Sequence, residues 1–475
     1  MSNTYNTARQ MLADLQTKKI SARELLDAHL AENDALHKKL NAVVATDIPR
    51  AVKDAAAIDD ARAKGANPGA LAGLPMTIKD GYDVEGLPAT AGNTMFANRP
   101  RNCADAELVS RARKAGAVIW GKTNVPFMLS DFQSYNDIYG TTNNPYDTSR
   151  VPGGSSGGAA AALATGITSL EIGSDIGGSL RHPANFCGVC SLKPTWGVLP
   201  MRGHVPPPPG FDAEVDLGVG GPMARNVDDL KLLWSVLSNT PEQKRRDAKG
   251  TRIAVLDEQS GWVLDESVKA RVEAAADALS KAGMTITRAK PDIDMEKMVE
   301  TYLDLLTPII SAGFPDALLQ QMAKTHDADV EAVREGRDPE GQARYRLRAT
   351  ATPTYISTAQ KIRQAQKDAL ARFFDDHDAI LMPITPIPAF AHDHSPINER
   401  TITVNGKPAR YMSMLNWIAL ATSLHAPALA LQAGQTPAGL PVGVQLVGRE
   451  DGEGELLNLG LAAEEVLGGF RSPPL

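Results

Sequence analysis

The spacing of apolar residues along the chain predicts an α/β protein. Apolar side chains recur at helical spacing through residues 4–40, where Ser21 and Glu24 form a capping-box pattern that opens the second of two helices. Further helical patterns cover 49–64, 106–115, 227–238 and 412–424. Short apolar runs predict strands at 41–46, 76–80, 117–120, 253–256, 380–382, around Leu429 and at 442–447. This alternation of helices and strands is typical of an α/β fold.

The character of the chain changes near residue 240. Residues 242–252 (EQKRRDAKGTR) form a charged connection, and most of the sequence from there to about residue 400 is helical with charged faces. The segment 241–400 is therefore predicted to be a mostly helical cap or peripheral layer. At 475 residues the chain could hold three average domains, yet large α/β enzymes reach this length as one domain. We expect residues 1–475 to form a single domain.

Composition and charge narrow the class of protein. Hydrophobic residues make up 43% and charged residues 22%, and no run approaches ~18 uninterrupted apolar residues, so no membrane association is expected. The first residues lack the basic and apolar blocks of a signal peptide, which predicts a cytoplasmic location. The net charge is −7 and basic residues are scattered along the chain, so no nucleic-acid partner is expected.

Two glycine-walled serine clusters indicate an acyl-transfer site. They are GGSSGG at 153–158 and GSDIGGS at 173–179. Glycine allows positive φ and close backbone approach, so a serine set among glycines presents its hydroxyl beside exposed amide N–H groups. A flexible Gly/Ser linker is the alternative, but the segment between the clusters passes from helix-like to strand-like composition, which linkers do not usually show.

Three serine arrangements can be compared with these clusters. Ser155 lies in a G-x-S-x-G pattern, but Pro152 and the absence of a β-branched strand before it fit a nucleophile elbow poorly. An S-x-x-K arrangement is excluded because no serine has a lysine three positions later. The third arrangement is a serine activated by a neutral lysine. Lys79, at the end of a predicted core strand, is the candidate, with a strand-end lysine that reaches solvent as the alternative.

Three other motifs favour structural interpretations. Residues 116–123 match the P-loop pattern G-x-x-x-x-G-K-[ST], but the four variable positions are themselves the apolar strand and not an exposed loop. Cys187 and Cys190 lack the further ligands of a zinc site and the context of a redox pair, which favours buried apolar side chains. His392 and His394 lie in a proline-rich loop without a third ligand, so a solvated loop is favoured over a metal site.

Three blocks of the sequence resemble the amidase signature family. They are GLPMTIKD at 73–80, GGSSGG at 153–158 and GSDIGGSLRHPA at 173–184, in the order that the family has them. The similarity covers most of residues 70–240, the predicted signature core, and resumes at the C-terminal strands. The resemblance implies an amidase signature fold, which is a large mixed β-sheet flanked by helices on both faces.

The resemblance also implies a Ser–cisSer–Lys catalytic unit that forms an acyl-enzyme. Ser179 would be the nucleophile, Ser155 the bridging serine after a cis peptide bond, and Lys79 the base. The oxyanion hole would consist of backbone N–H groups of Ile176, Gly177, Gly178 and Ser179. Asp175 and Arg181, which flank this loop with opposite charges, are interpreted as a clamp that shapes it. This chemistry requires no metal or cofactor.

The predicted substrate is a small amide. By resemblance, the segment 127–130 lies beside the nucleophile, and Leu129 and Ser130 are the predicted substrate contacts. Residues 307–314 and the helix with Asn416 and Trp417 would complete the pocket. Their apolar and aromatic content favours an uncharged aryl or alkyl amide, anilide or carbamate, which are substrates of an aryl acylamidase or a urethanase.

Two rival functions stay open. One is the glutamyl-tRNA(Gln) amidotransferase A subunit, a member of the same family that works in a translation complex and passes ammonia to a partner. Residues 201–225 depart from the shorter pattern expected of that protein, and they include a predicted stiff surface loop at 204–210. The other rival is a non-catalytic protein with the same fold, which the intact Lys79, Ser155 and Ser179 disfavour. The oligomeric state is open, with a homodimer as one arrangement.

Overall fold

An eleven-stranded mixed β-sheet forms the centre of the computed structural model, which describes residues 3–99, 103–206, 214–338 and 341–475. Helices pack against this sheet, so the fold is mixed α/β with a large mixed β-sheet, as predicted from the sequence. The strands are β1 (Val43–Thr46), β2 (Pro75–Lys79), β3 (Val118–Thr123), β4 (Tyr135–Asn136), β5 (Gly140–Thr141), β6 (Leu170–Asp175), β7 (Cys190–Lys193), β8 (Val219–Ala224), β9 (Arg252–Val255), β10 (Thr285–Arg288), β11 (Ala379–Pro383), β12 (Thr401–Val404), β13 (Lys407–Arg410), β14 (Ala428–Gln435) and β15 (Pro441–Val447).

The order of strands in the large sheet is β1-β3-β2-β6-β8-β7-β14-β15-β11-β9-β10, while β12 and β13 pair as one hairpin and β4 and β5 as another. The helices are α1 (Ala8–Gln16), α2 (Ala22–Leu40), α3 (Ile48–Ala63), α4 (Glu107–Lys114), α5 (Gly157–Ala164), α6 (Arg181–Cys187), α7 (Val227–Ser238), α8 (Glu266–Lys281), α9 (Met295–Ser311), α10 (Asp316–Ala323), α11 (His326–Arg334), α12 (Gln342–Ala349), α13 (Pro353–Asp376), α14 (Asn416–Ser423) and α15 (Glu453–Leu467).

The apolar spacing located most of these elements correctly. The Ser21 hydroxyl accepts from the Glu24 amide at 3.1 Å and the Glu24 carboxylate accepts from the Ser21 amide at 2.9 Å, which confirms the capping box. The segment 412–424 is a 3-10 turn (Tyr411–Leu415) followed by α14, and not one helix. Segment 241–400, predicted as a helical layer, also contributes β9, β10 and β11 to one end of the sheet. Residues 207–210 of the predicted surface loop lie outside the described residues.

Helix α5 carries the first serine cluster into the interior. Its sequence, GGAAAALA, is apolar on every side, and all eight residues are buried between α6 and the strands of the sheet. A helix that is apolar all round is stable only when it is fully buried, and the small side chains let its backbone approach the sheet closely. The loop that precedes α5 is therefore held at the centre of the protein.

The lysine of the P-loop match at 116–123 forms a buried ion pair and does not lie in an exposed phosphate-binding loop. Lys122 lies in β3, and its Nζ is 3.4 Å from Asp80 Oδ1 with both side chains fully buried. The lysine also donates to the carbonyl oxygens of Pro88, at 3.0 Å, and Tyr82. Burial lowers the pKa of Lys122, and the negative charge of Asp80 opposes that shift. The lysine of the motif therefore has a structural role.

Asp80→Ala is expected to lower the free energy of unfolding by about 3–5 kcal/mol, because it leaves the Lys122 charge buried without its partner. The combined variant Asp80→Leu/Lys122→Met removes both charges, and its free energy of unfolding is expected to fall by less than that of the single variant. Urea unfolding of the three proteins gives the comparison. A single variant as stable as the double variant would contradict this account of the pair.

Candidate active site

The candidate site lies at one edge of the sheet, where three parallel strands end. β2 pairs in parallel with both β3 and β6, so the carboxyl ends of all three strands meet at the same edge. Lys79 is the last residue of β2, and Ser174 and Asp175 are the last residues of β6. Polar groups at the carboxyl ends of adjacent parallel strands are the usual place for a ligand site in an α/β sheet.

Lys79 contacts two serines in the interior. Its Nζ lies 2.7 Å from Ser155 Oγ, 3.0 Å from Ser174 Oγ and 3.3 Å from the Ser174 carbonyl oxygen. The side chain has 0% exposure, so the alternative of a lysine that reaches solvent does not hold. Burial lowers the pKa of Lys79 to about 7, against the opposing charges of Asp175 and Glu171. A substantial fraction of this amine is therefore neutral at physiological pH and able to accept a proton.

The lowered pKa of Lys79 has a consequence for stability that does not involve activity. In the unfolded chain this lysine has its ordinary pKa of 10.5, so between about pH 7 and that value the unfolded state binds more protons than the folded state. By linkage, the free energy of unfolding rises with pH across this interval, by up to about 2 kcal/mol between pH 7 and pH 9 for this one group. Below pH 7 burial of the charged amine lowers the free energy of unfolding by its full amount, and above the unfolded pKa of 10.5 this destabilisation is absent.

Lys79→Met is expected to remove this pH dependence. The variant should be more stable than wild type at pH 6, because no charge is buried, and its advantage should narrow by pH 9. Urea unfolding of both proteins at the two pH values measures the difference. An advantage that does not change with pH would show that the amine of Lys79 is not held neutral by the fold.

The first serine cluster places Ser155 against the lysine. The Gly154–Ser155 peptide bond is cis, as the resemblance implied. Gly154 passes so close to the backbone of Asp131 and Gln133 that a Cβ would collide with their carbonyl oxygens, so only glycine fits there. The Ser156 amide donates to the Ser179 carbonyl at 3.2 Å, which joins the two serine clusters.

The second cluster forms a tight loop between β6 and α6. Asp175 closes this loop because its carboxylate accepts from the amides of Gly178, at 2.9 Å, and Leu180, at 3.1 Å. Gly178 has φ +88° and faces His182 so closely that a Cβ would overlap the imidazole. The Gly178 N–H is thus engaged by Asp175 and is not a free oxyanion donor, contrary to its predicted role. For Ile176, Gly177 and Ser179 the oxyanion role stays a prediction.

The predicted clamp between Asp175 and Arg181 is confirmed. Arg181 donates to both carboxylate oxygens, with Nε at 3.1 Å and Nη2 at 3.0 Å, and both side chains are fully buried. Burial would raise the pKa of Asp175, but the Arg181 charge and the hydrogen bonds outweigh it and hold that pKa well below its usual range. Arg181 is itself fixed by Thr422 at 2.6 Å and Gln445 at 3.1 Å, so α14 and β15 brace the loop.

The predicted substrate contacts lie at the margin of this site. Leu129 packs beside Gly81, two residues after Lys79, and against Val205, whereas Ser130 is exposed. Phe127 has 58% of its surface exposed. Trp417 is 1% exposed and donates through Nε1 to the Val263 carbonyl at 3.0 Å, so it belongs to the core. The substrate-binding roles of Leu129 and Ser130 stay predictions.

Sequence reasoning missed two residues that complete the polar cluster around Lys79. Ser174 accepts from the lysine, and His204 Nε2 lies 2.9 Å from Ser174 Oγ. Ser174 stands next to Asp175 inside the second glycine–serine cluster, which was a usable signal. His204 lies 30 positions further along the chain, in a proline-rich stretch that resembles a surface loop.

The structure also places the cysteine and histidine motifs considered from the sequence. Cys187 and Cys190 are free thiols, and burial raises the pKa of both, which makes them poor nucleophiles. His394 stacks on the Tyr135 ring at a centroid distance of 3.9 Å. Within the ranges that the structure describes, no three His, Cys, Asp or Glu side chains are grouped so as to hold a metal ion.

Lys79 is buried, has a lowered pKa and hydrogen-bonds to Ser155, and the Ser156 amide joins this loop to the loop that holds Ser179. This arrangement is suited to acyl transfer. The family model Amidase matches residues 24–457. The chain belongs to the amidase family and is an amidohydrolase.

Relatives and solved structures resemble almost the whole chain. The glutamyl-tRNA(Gln) amidotransferase A subunit of Anaeromyxobacter dehalogenans (strain 2CP-C) is 32% identical, and the match covers 98% of this chain and 97% of that protein. A solved chain from a vestigial protein complex that reveals the evolutionary origins of an s-triazine catabolic enzyme is 28% identical. It has a TM-score of 0.79, and the match covers 98% of this chain and 99% of that one. A solved amidase is 27% identical with a TM-score of 0.79, and the match covers 97% and 99% of the two chains.

These relatives correct the predicted function and partners. The prediction of a small aryl or alkyl amide, anilide or carbamate substrate is wrong, because A subunits of glutamyl-tRNA(Gln) amidotransferases match at 30–32% identity over nearly the full chain. That prediction depended on apolar residues that the structure places in the core or on the outer surface, such as Trp417 and Phe127. The exclusion of a nucleic-acid partner is also wrong, since tRNA is part of these relatives' name.

The prediction that the chain does not associate with a membrane can be compared with the lengths and hydropathy of its helices. Across the described parts of the chain, no helix is both long enough and apolar enough to cross a bilayer. The cytoplasmic location and the homodimer stay predictions.

Proposed function

We propose that the chain is the A subunit of a glutamyl-tRNA(Gln) amidotransferase. In this role it hydrolyses a primary carboxamide, with glutamine as the first candidate donor, and the ammonia is used by a partner protein. The observation that carries the proposal is the 32% identity to such a protein over 98% of the chain. The Lys79–Ser155 contact supports it, because ammonia release through an acyl-enzyme requires an activated nucleophile, and a serine with a neutral lysine is one way to obtain it.

The proposed acylation step begins at the observed Lys79–Ser155 contact and takes the role of Ser179 from the resemblance. Neutral Lys79 accepts the Ser155 proton while Ser155 accepts the Ser179 proton, and Ser179 Oγ attacks the carboxamide carbon. Backbone N–H groups of the loop before Ser179 stabilise the oxyanion, each by roughly 3 kcal/mol. The carbon–nitrogen bond then breaks, and the proton returns through Ser155 to the leaving nitrogen. The products of this step are ammonia and an ester on Ser179.

The deacylation step repeats the relay with water. Water gives its proton through Ser155 to Lys79 and attacks the ester carbon, and the ester bond breaks with return of a proton to Ser179 Oγ. A free carboxylate leaves. Lys79, Ser155 and Ser179 are all buried, which supports a site that keeps the released ammonia from bulk water.

Ammonia transfer tests the proposal. The chain, assembled with the other amidotransferase subunits of its source genome, is expected to release ammonia from glutamine and to convert glutamyl-tRNA(Gln) into glutaminyl-tRNA(Gln). Omission of this chain is the control, and it should abolish transfer from glutamine but not from added ammonium chloride. An assembly that neither hydrolyses glutamine nor transfers its amide nitrogen would contradict the proposal.

A further inference from the structure

His204 is held at the site edge by several contacts of its own. Its amide donates to the Met201 carbonyl at 2.9 Å, and the following residue, Val205, donates to the Gly81 carbonyl at 2.8 Å. The imidazole packs edge-on against the Tyr82 ring at a centroid distance of 4.9 Å. The ring is therefore fixed close to the end of β2, beside the residues that directly follow Lys79.

The hydrogen-bond partners of His204 determine its tautomer. Nδ1 lies 2.8 Å from the Pro206 carbonyl oxygen, which can only accept, so Nδ1 carries the proton. In a neutral imidazole the other nitrogen then has only a lone pair. Burial, followed by the positive charges of Lys79 and Lys122, lowers the pKa of His204 to about 3, so the ring is neutral. Nε2 consequently accepts the hydroxyl proton of Ser174 at 2.9 Å.

This arrangement determines which way the Ser174 hydroxyl faces. With its proton on the His204 side, Ser174 Oγ can only accept from Lys79 Nζ at 3.0 Å. The Ser174 carbonyl oxygen, at 3.3 Å, is also only an acceptor. A neutral amine has two N–H bonds and one lone pair. Both N–H bonds are taken by Ser174, and the lone pair is left for Ser155 Oγ, 2.7 Å away.

We propose that His204 is a positioning residue that acts through Ser174 to direct the lone pair of neutral Lys79 at Ser155. Without His204 the Ser174 hydroxyl can rotate and donate to that lone pair, which blocks proton transfer from Ser155. The inference rests on the serine–lysine relay of the proposed function. Asp175 and Glu171 face Lys79, and Lys122 faces His204; these charges are unchanged in the variants below.

The test measures labelling of the active serine by a fluorophosphonate as a function of pH, because this reaction does not depend on the natural substrate. His204→Phe keeps an aromatic ring beside Tyr82 but lacks the acceptor. It is expected to slow labelling at the alkaline plateau by about 10- to 100-fold, the usual cost of a misplaced reacting group. Its acidic limb is expected to move to lower pH, because the freed Ser174 hydroxyl then stabilises the neutral amine.

A double-mutant cycle separates positioning from packing. If His204 acts only through Ser174, then His204→Phe is expected to have no further effect on labelling in a Ser174→Ala background. Ser174→Thr, which keeps a hydroxyl, is expected to retain both the labelling rate and the sensitivity to His204→Phe. His204→Leu provides a second variant, and urea unfolding shows which variants are folded.

Four outcomes would each overturn a specific assignment. Additive effects of His204→Phe and Ser174→Ala, or an unchanged plateau in folded His204→Phe, would overturn the inference. A wild-type chain that the probe does not label would overturn it together with the serine–lysine chemistry. Normal labelling behaviour without transfer of the glutamine amide would overturn only the amidotransferase assignment and leave the role of His204 supported.

Discussion

Ser179→Ala is expected to abolish both fluorophosphonate labelling and the release of ammonia from glutamine. The predicted attacking oxygen is lost, and no other group can form the acyl-enzyme, so we expect a fall in kcat of about 10⁴-fold or more. The site should otherwise be intact, because Asp175, and not the Ser179 side chain, closes the loop through the amides of Gly178 and Leu180. Mass spectrometry of the labelled peptide gives the position of the adduct directly.

Ser169→Ala is the matched control for this experiment. Ser169 is also buried, but its hydroxyl donates to the Pro75 carbonyl at 2.6 Å, at the opposite end of β2 from Lys79. This variant should label at the wild-type rate. Labelling that persists in Ser179→Ala and falls on Ser155 would make Ser155 the nucleophile, as the G-x-S-x-G pattern had suggested.

The α/β class, the two serine clusters and the candidate Lys79 could be predicted from local signals, whereas the family fold and the roles of Ser155 and Ser179 came from the resemblance. A lysine that ends an apolar strand is unusual, and two glycine–serine clusters on the same chain give it partners. The structure brings Lys79 and Ser155 into contact across 76 positions of sequence because β2 and the loop before α5 meet at one edge of the sheet. The bounds of α7, Val227–Ser238, follow directly from the spacing of its leucines.

The sequence could not predict which partner each hydrogen-bond donor of the site contacts. The engagement of the Gly178 amide by Asp175 depends on the path of a loop that only the folded chain reveals. The bond between His204 and Ser174 joins a loop residue to the end of β6, and its direction depends on a third partner, Pro206. A sequence pattern contains neither kind of information.

The prediction of the substrate was wrong for a different reason. Apolar residues occur in cores, in pockets and on interaction surfaces, and composition alone does not separate these settings. Trp417 was assigned to a pocket but packs against Trp262 in the interior at a centroid distance of 5.0 Å. Phe127 was assigned to the same pocket but faces outward. The inference from them to an uncharged aryl or alkyl amide, anilide or carbamate therefore had no structural basis.

The rate of amide hydrolysis is expected to depend on a single deprotonation near neutral pH. Because burial lowers the pKa of Lys79 to about 7, the amine is protonated and inactive below that pH and neutral above it. A plot of log kcat/KM should rise with unit slope up to about pH 7 and then level off, since kcat/KM reports the free enzyme. Lys79→Arg, whose guanidinium stays charged, is expected to lose about 10³-fold or more at every pH. A profile unchanged by this substitution would contradict the assignment of Lys79 as the base, because a different group would then be responsible for the titration.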